Sequence, residues 1–299
     1  MSMPPPRFDG PRLRLPKRRF RRIPVRTLVP NVITLLALCA GLTAIRMVVE
    51  NRIDLALAAI VLAALLDGID GRIARMLKGT SRFGAELDSL ADFVNFGVAP
   101  ALILYFWGLH ELKSAGWIVA LIFAICAGLR LARFNVMIDD PNKPAWAANF
   151  FTGIPAPAGA ITVLLPIYLD LLGVSGGLVG VWLTFLYTLL IALLMVSRLP
   201  VFSGKRVGKR VPPETVLPVF VVVVLFFALL ISYPWQVLTL GAVTYLVCLP
   251  LGWLSYREYQ RKDAAAAAAV EAAVASVGEA PLTPDHLPES DSDRPARLN

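Results

Sequence analysis

The chain has 299 residues, of which 57% are hydrophobic and 17% charged, and it carries a net charge of +8. So large a hydrophobic share excludes an ordinary soluble domain and places the chain in the polytopic membrane class. The three cysteines, Cys39, Cys126 and Cys248, lie in apolar stretches without CxxC spacing. They are therefore interpreted as small packing residues rather than metal ligands.

A helix that spans a membrane needs about 20 predominantly apolar residues. The apolar runs predict an all-α, polytopic transmembrane bundle of about eight helices, at about 28–49, 53–77, 83–106, 115–136, 156–172, 178–198, 215–232 and 235–256. The fifth of these is short, and the seventh and eighth meet at the turn SYPWQ.

Composition divides the chain into four parts. They are a basic N-terminal segment (1–27), a transmembrane core (28–210), two additional transmembrane helices (211–256) and an Ala-rich, largely disordered tail (257–299). Within the tail, DAAAAAAVEAAVASVGEA is compatible with a helix, and the residues after it have the composition of a disordered segment.

Basic residues predict the orientation in the membrane. Two groups are separated by an even number of helices: Arg7, Arg12, Arg14, Lys17, Arg18, Arg19, Arg21, Arg22 and Arg26 before the first helix, and Arg198, Lys205, Arg206, Lys209 and Arg210 after the sixth. Both groups, and both termini, are expected on the cytoplasmic side of the cell (inner) membrane. The N-terminal group is interpreted as a topology signal that rests on anionic headgroups, because no motif supports nucleic-acid binding.

Two predicted helices carry four aspartates. Asp67 and Asp70 are three residues apart and Asp88 and Asp92 four apart, so each pair shares one helix face. Asp67 follows about 14 residues of helix, or roughly 21 Å of a hydrocarbon core about 30 Å thick. Because the short turn KGTSR joins the two helices, they are expected to be antiparallel and their acidic faces to converge.

Four such aspartates cost on the order of 10 kcal/mol within a membrane, so something must neutralise them. Arg72, Arg75 and Arg82 could pair with them as a buried ionic cluster. Divalent cations are favoured over this alternative, because dense oxygen ligands suit Mg²⁺ or Mn²⁺. Small residues stand beside the acids: Gly68, Gly71, Ala74, Gly79, Gly84 and Ala85. They either let helices pack closely or leave room for a phosphate or nucleotide.

Eight residues at fixed spacing complete the pattern: Asp67, Asp70, Gly71, Ala74, Arg75, Gly84, Asp88 and Asp92. This pattern resembles in full the signature of the CDP-alcohol phosphotransferase family. The resemblance implies an integral membrane enzyme with a six-helix catalytic core. Such an enzyme transfers a substituted phosphate from a CDP-linked donor to an alcohol and releases CMP, using two divalent ions, Mg²⁺ or Mn²⁺.

Further stretches narrow the acceptor. PNVITLLALCAGL (30–42) resembles the nucleotide-side helix of the family, and GLRLARFNV (128–136), FTGIPAPAGA (151–160) and LMVSRLPVFSGK (194–205) resemble the bacterial membrane-bound phosphatidylserine synthases. The resemblance implies CDP-diacylglycerol and L-serine as substrates, with phosphatidylserine and CMP as products. It also implies a homodimer in the lipid bilayer, and no nucleic-acid partner is expected.

The resemblance also implies roles for individual residues. Asp67, Asp70 and Asp88 are expected to be the main metal ligands, and Asp92 to hold the second ion and act as general base. Neither histidine competes for the role of base, since His110 is expected in an outer loop and His286 in the tail. No nucleophile site presents itself, so direct displacement is expected.

The CDP-linked donor is expected to contact a set of residues near the acids: Gly71, Arg75 and Ser81 by correspondence with the family, and Asn31 and Thr34 around the nucleotide. For Asn31, an N-cap after Pro30 is an equally weighted alternative. Four residues are predicted to bind the serine acceptor: Asn95, Arg130, Arg133 and Asn135. An arginine fork suits a carboxylate, although Arg130 and Arg133 could instead anchor the inner end of their helix.

Two rival functions remain. The same scaffold could use glycerol 3-phosphate or inositol, and Lys205, Arg206, Lys209 and Arg210 could supply the basic pocket that a phosphorylated acceptor needs. An ion-coupled transporter is the second rival, because buried acids often mark ion pathways. It predicts acids at several depths of the membrane, whereas these four lie near one side.

Overall fold

The computed structural model describes residues 25–77, 79, 81–138, 150–174, 176–197, 199–202 and 213–278. Its helices and strands are α1 (Val25–Val49), α2 (Ile53–Met76), α3 (Arg82–Asp92), α4 (Ala99–Trp107), α5 (Ser114–Ile138), β1 (Phe150–Thr152), α6 (Ala156–Val163), α7 (Leu165–Leu171), α8 (Gly177–Val196), β2 (Pro200–Phe202), α9 (Pro213–Ser232) and α10 (Pro234–Gly278). A π-helical segment, Phe93–Val98, joins α3 to α4, and a 3₁₀ turn, Leu109–Leu112, precedes α5.

The prediction of an all-α, polytopic membrane fold is confirmed. Six described helical stretches are long and apolar enough to cross a membrane: Leu28–Val49, Arg82–Trp107, Ser114–Met137, Gly177–Val196, Thr215–Ser232 and Pro234–Trp253. The predicted second helix is α2, whose 24 residues are long enough to span but carry the charged residues of the acidic motif. The predicted fifth helix is the short apolar stretch Ala156–Leu171. The chain is an integral membrane protein.

Several sequence features lie outside the described residues. They are the N-terminal basic segment through residue 24, Lys78, Thr80, Arg198, the basic cluster Lys205, Arg206, Lys209 and Arg210, and the tail from residue 279, which includes His286.

The chain forms two compact units. The first comprises the described residues up to Ile138 together with Pro155–Val196, and it contains α1–α8 without the strands. Within it, α1 packs along α2 and also against α3, the π-helical segment and α4, and α5 packs against α8. Small residues are buried in both α1 and α2: Ala37, Ala40 and Ala44 in α1, and Ala56 and Ala63 in α2. Small side chains let helix backbones approach closely in a membrane, so α1 can hold α2 and α3 side by side.

The second unit contains the two strands and the last two helices. β1 and β2 pair antiparallel, with Phe150 opposite Phe202, and this pair is the one described departure from an entirely helical chain. Helix α10 continues without interruption to Gly278, well beyond the predicted end at 256. The alanine run accounts for the extension, because alanine has the highest helix propensity of all residues.

Candidate active site

Helices α2 and α3 bring the acidic residues of the motif together. Ligand oxygen atoms of Asp67, Asp70 and Asp88 all lie within 4.8 Å of one another. Asp92 lies one turn after Asp88, and its carboxyl group is in contact with that of Asp67. The expected convergence of the two acidic faces is thus present, because two antiparallel helices joined by a short turn present facing sides to each other.

The aspartates retain unused hydrogen-bonding capacity. Asp70 is buried and accepts a hydrogen bond from Thr34 Oγ1 to its Oδ2 at 2.6 Å. Asp92 Oδ1 is buried and has no hydrogen-bond partner in the described part of the chain. Such an atom is costly unless a ligand, ion or water occupies its lone pairs.

The alternative of an ionic cluster is not realised among the described residues. None of Arg72, Arg75 and Arg82 forms an ion pair with an acid in the described part of the chain, whereas Arg46 pairs with Glu50 at 2.7 Å. The acids are therefore not neutralised by these three arginines. An all-oxygen donor set without Cys or His suits a hard divalent cation.

A cleft of about 200 Å³ opens beside the acids. Its lining contains Asp70 and Asp88 together with all five residues predicted to contact the donor: Asn31, Thr34, Gly71, Arg75 and Ser81. Residues from α1, α2 and the start of α3 therefore share one cavity with two of the acids. This arrangement places a guanidinium group and carboxylates around a space where a phosphate could lie.

The start of α3 depends on a close approach to α1. Ser81 is the N-cap of α3, and its Oγ accepts a hydrogen bond from Gly84 N at 3.0 Å. A Cβ added at Gly84 would lie only 2.8 Å from Asn31 Oδ1. A side chain at this position would displace the Asn31 side chain, so the glycine lets Asn31 keep its place beside the cleft.

The N-cap alternative for Asn31 is wrong. Helix α1 begins at Val25, so Asn31 lies inside the helix and follows the internal Pro30. Pro30 is the sixth residue of α1 and lies beyond its first turn, so the missing N–H leaves the carbonyl oxygen of Arg26 without its usual intrahelical donor. The side chain of Asn31 faces Gly84 and the cleft instead of its own helix end.

The four residues predicted to bind the acceptor differ from one another in burial and in hydrogen bonding. Asn95 is 1% exposed on the π-helical segment, and neither of its amide atoms has a hydrogen-bond partner among the described residues. Arg130 is buried, with its guanidinium 5.1 Å from the centre of the Phe134 ring. Single π-helical turns occur frequently at functional sites, and this one begins directly after Asp92.

The other two predicted acceptor residues already have partners. Arg133 Nη1 donates to the carbonyl oxygen of Val196, the last residue of α8, at 2.6 Å. Asn135 is exposed, and its Nδ2 donates to Ser89 Oγ at 2.9 Å. The structure thus brings Asn135 beside α3 and the acidic motif, whereas Arg133 satisfies the C-terminal end of α8.

A family of known proteins matches the part of the chain that forms the cleft. The family model for CDP-alcohol phosphatidyltransferases matches residues 27–193, which include every element of the cleft. The chain belongs to the CDP-alcohol phosphatidyltransferase family. A second family model, CDP-alcohol phosphatidyltransferase 2, matches residues 214–250, which lie in α9 and α10.

Relatives in this family share much of the chain. A CDP-diacylglycerol–serine O-phosphatidyltransferase from Mycobacterium leprae is 40% identical over 232 residues, covering 78% of this chain and 76% of the relative. A protein of the same name from Helicobacter pylori is 34% identical and covers 76% of this chain and 91% of the relative. Another from Bacillus subtilis is 39% identical over 138 residues, or 46% of this chain and 74% of the relative.

CDP-alcohol phosphatidyltransferases generally depend on divalent metal ions. The residues present fit such an ion: three carboxylates with oxygen atoms within 4.8 Å of one another, and a fourth, Asp92, with a buried oxygen that lacks a partner. The donor set contains only oxygen, as magnesium and manganese prefer.

Small residues complete the wall of the cleft. Gly79 and Ala85 are among the small residues beside the acids that were interpreted as close packing or as room for a phosphate, and both line the cleft. Pro30 also lines it and was not predicted from the sequence. Outside the cleft, Gly41 of α1 lies so close to the π-helical segment that an added Cβ would stand 3.2 Å from the Cα of Asn95. Gly41 carried no signal of its own, because its role depends on how α1 packs.

Proposed function

We propose that this protein transfers the phosphatidyl group of CDP-diacylglycerol to the hydroxyl group of L-serine, giving phosphatidylserine and CMP. The name shared by relatives at 34–40% identity supports this reaction. The observation that carries it is the cleft in which carboxylates of Asp70 and Asp88 adjoin Arg75 and the open backbone at Gly71. This combination suits a metal-bound diphosphate.

In this proposal, five residues bind the CDP moiety of the donor: Asn31, Thr34, Gly71, Arg75 and Ser81. Arg75 is suited to a phosphate, because a guanidinium group donates two parallel hydrogen bonds to one oxyanion group. An added Cβ at Gly71 would meet only Arg75 Nη1, at 3.7 Å, so the backbone there stands open to a ligand. The acyl chains of the donor extend sideways into the bilayer.

Asp67, Asp70, Asp88 and Asp92 would hold two divalent ions, Mg²⁺ or Mn²⁺. When bound, these ions would supply positive charge that neutralises the donor's phosphates and the charge that develops on the leaving CMP. Thr34 holds the Asp70 carboxylate through its 2.6 Å hydrogen bond and so fixes the orientation of this ligand.

The acceptor hydroxyl reacts by direct displacement. Its oxygen forms a bond to the phosphorus of the phosphatidyl group, the bond from that phosphorus to the CMP oxygen breaks, and Asp92 takes the hydroxyl proton. The partner-free Oδ1 of Asp92 provides a lone pair for this proton. Arg130 and Arg133 would bind the serine carboxylate, and Asn95 and Asn135 would provide further polar contacts.

The placement in the cell is part of the proposal. The cleft would face the cytoplasm across the inner membrane, both termini would be cytoplasmic, and two copies would form a homodimer. Positive-inside placement of the basic residues in the sequence supports the orientation. A cytoplasmic cleft would meet a water-soluble amino acid directly.

An acceptor panel on the purified protein tests the reaction. The protein in detergent is mixed with CDP-diacylglycerol and Mn²⁺ or Mg²⁺, and CMP release is measured with serine, glycerol 3-phosphate or inositol. We expect release with serine alone and its loss in Asp92→Asn, with an unchanged melting curve for the variant. CMP release with another alcohol instead of serine would support the donor site but reject serine as the acceptor. No release with any acceptor from folded protein would reject the transferase.

A further inference from the structure

A second and larger cavity lies at the other end of the first unit. It measures about 690 Å³ and is formed by the end of α4, the 3₁₀ turn, α7 and the start of α8. At about 1.5 Å per residue, Trp107 in its wall lies roughly 28 Å from Asp88 along the continuous helical stretch Arg82–Trp107. The cavity shares no lining residue with the cleft beside the aspartates.

Two carboxyl groups line this cavity. Glu111 and Asp170 belong to the lining, which contains no lysine, arginine or histidine among the described residues. Neither acid forms an ion pair in the described chain, and the indole N–H of Trp107 donates to Asp170 Oδ2 at 3.3 Å. Acids at a membrane boundary are stabilised by a cationic partner, and this cavity offers its negative charge to one from outside the chain.

The remaining wall is apolar and continues onto the lipid-facing surface. Leu165, Leu169 and Val181 line the interior. At the rim, Leu178 and Leu183 of α8 are 64% and 61% exposed, in a helix that is long and apolar enough to cross the membrane. A molecule that fills both the acidic part and the apolar part of the cavity therefore carries a positive charge as well as an apolar chain. Such a molecule can enter sideways from the bilayer.

We propose that this cavity binds a membrane lipid whose headgroup carries an ammonium group. The ammonium lies against Asp170 and Glu111, and an acyl chain follows the apolar wall. A small free amine would leave the apolar wall unfilled, whereas an anionic lipid would be repelled by the two carboxylates. The site stands apart from the proposed reaction and does not depend on it.

Thermal unfolding of the full chain in detergent tests this site without any catalytic assay. Tryptophan fluorescence gives Tm while phosphatidylethanolamine or phosphatidylglycerol with identical acyl chains is added. We expect phosphatidylethanolamine to raise Tm in a saturable manner by a few degrees and phosphatidylglycerol to leave it unchanged. Ligands that bind only the folded state raise Tm in this way.

Charge-neutral variants locate the effect. Asp170→Asn keeps an acceptor for the Trp107 N–H, and we expect the apparent affinity for phosphatidylethanolamine to fall about tenfold, as for a lost charge-assisted hydrogen bond. Glu111→Gln, at an exposed position, provides a second variant that cannot disturb the interior. Asp54→Asn is the matched control, because Asp54 is exposed in the first turn of α2 and does not line the cavity.

Filling the cavity is an independent check. A Cβ added at Gly180 would meet no atom within 4 Å, so Gly180→Leu can extend into the space. We expect this variant to keep the lipid-free Tm and to lose the response to phosphatidylethanolamine. Equal responses to both lipids, or wild-type responses in Asp170→Asn and Gly180→Leu, would overturn the proposal. So would variants that change the oligomeric state and leave the lipid response intact, because the cavity would then be a contact between copies.

Discussion

Replacing Gly84 with alanine tests how the cleft is built. The new Cβ would lie 2.8 Å from Asn31 Oδ1 and 3.1 Å from Ser81 Oγ, and ordinary van der Waals contact begins near 3.4 Å. The side chain of Asn31 must therefore withdraw by about 0.6 Å. Asn31 adjoins the open cleft, so it can move into space instead of straining the helices.

The magnitude follows from this displacement. A misplacement of about 1 Å can lower the rate about 100-fold, so a shift of this size is expected to lower kcat/KM about tenfold. A tenfold fall corresponds to about 1.4 kcal/mol of lost transition-state stabilisation. Because Asn31 can withdraw, the melting temperature of Gly84→Ala is expected to stay within about 2 °C of the wild type.

The assay is CMP release at saturating serine with varied CDP-diacylglycerol. Gly68→Ala is the matched control: Gly68 lies in α2 between Asp67 and Ile69, is exposed, and an added Cβ there would meet no atom within 4 Å. We expect this control to keep the wild-type kcat/KM. Wild-type kcat/KM in Gly84→Ala, or an equal loss in Gly68→Ala, would refute the argument from the contact with Asn31.

Further predictions concern the base, the metal, the acceptor and the packing of α1. Asp92→Asn should lower kcat by about 10²–10⁴ with little change in KM for the donor, as measured by steady-state CMP release. Chelation of divalent ions should abolish CMP release, and added Mn²⁺ or Mg²⁺ should restore it; activity in excess chelator would contradict the metal site. Arg133→Lys should keep Tm, since an ammonium can still reach the last carbonyl of α8, but raise KM for serine; an unchanged KM would leave Arg133 with only its helix-end role. Gly41→Ala should destabilise the protein by about 1–3 kcal/mol, because its Cβ would collide with the Asn95 side chain, whereas Gly241→Ala, with open space around it, should not; equal melting curves would contradict this.

Helix positions and the acidic cluster were predictable because they depend on local rules. Apolar runs of membrane-spanning length placed α2 at 53–77 and α3–α4 at 83–106, against 53–76 and 82–107 in the structure. The spacing of the aspartates predicted which of them share a helix face, and the short turn between the helices predicted that the two faces meet. Asp67, Asp70 and Asp88 do lie together in the structure. Each of these inferences uses residues only a few positions apart.

Tertiary structure decided everything that depends on which helices pack together. Asn31 became a neighbour of Gly84, Arg133 reached the end of α8, and Asn95 was buried against α1 at a π-helical segment. Trp107 and Asp170 are likewise far apart in the chain, and a hydrogen bond joins them beside the cavity between α4, α7 and α8. The sequence by itself determined the helices, the membrane class and the acidic motif, since hydrogen-bond period and hydrophobic length are properties of single segments. Contacts between segments follow from side-chain volumes at helix crossings, and only the folded chain brings those volumes together.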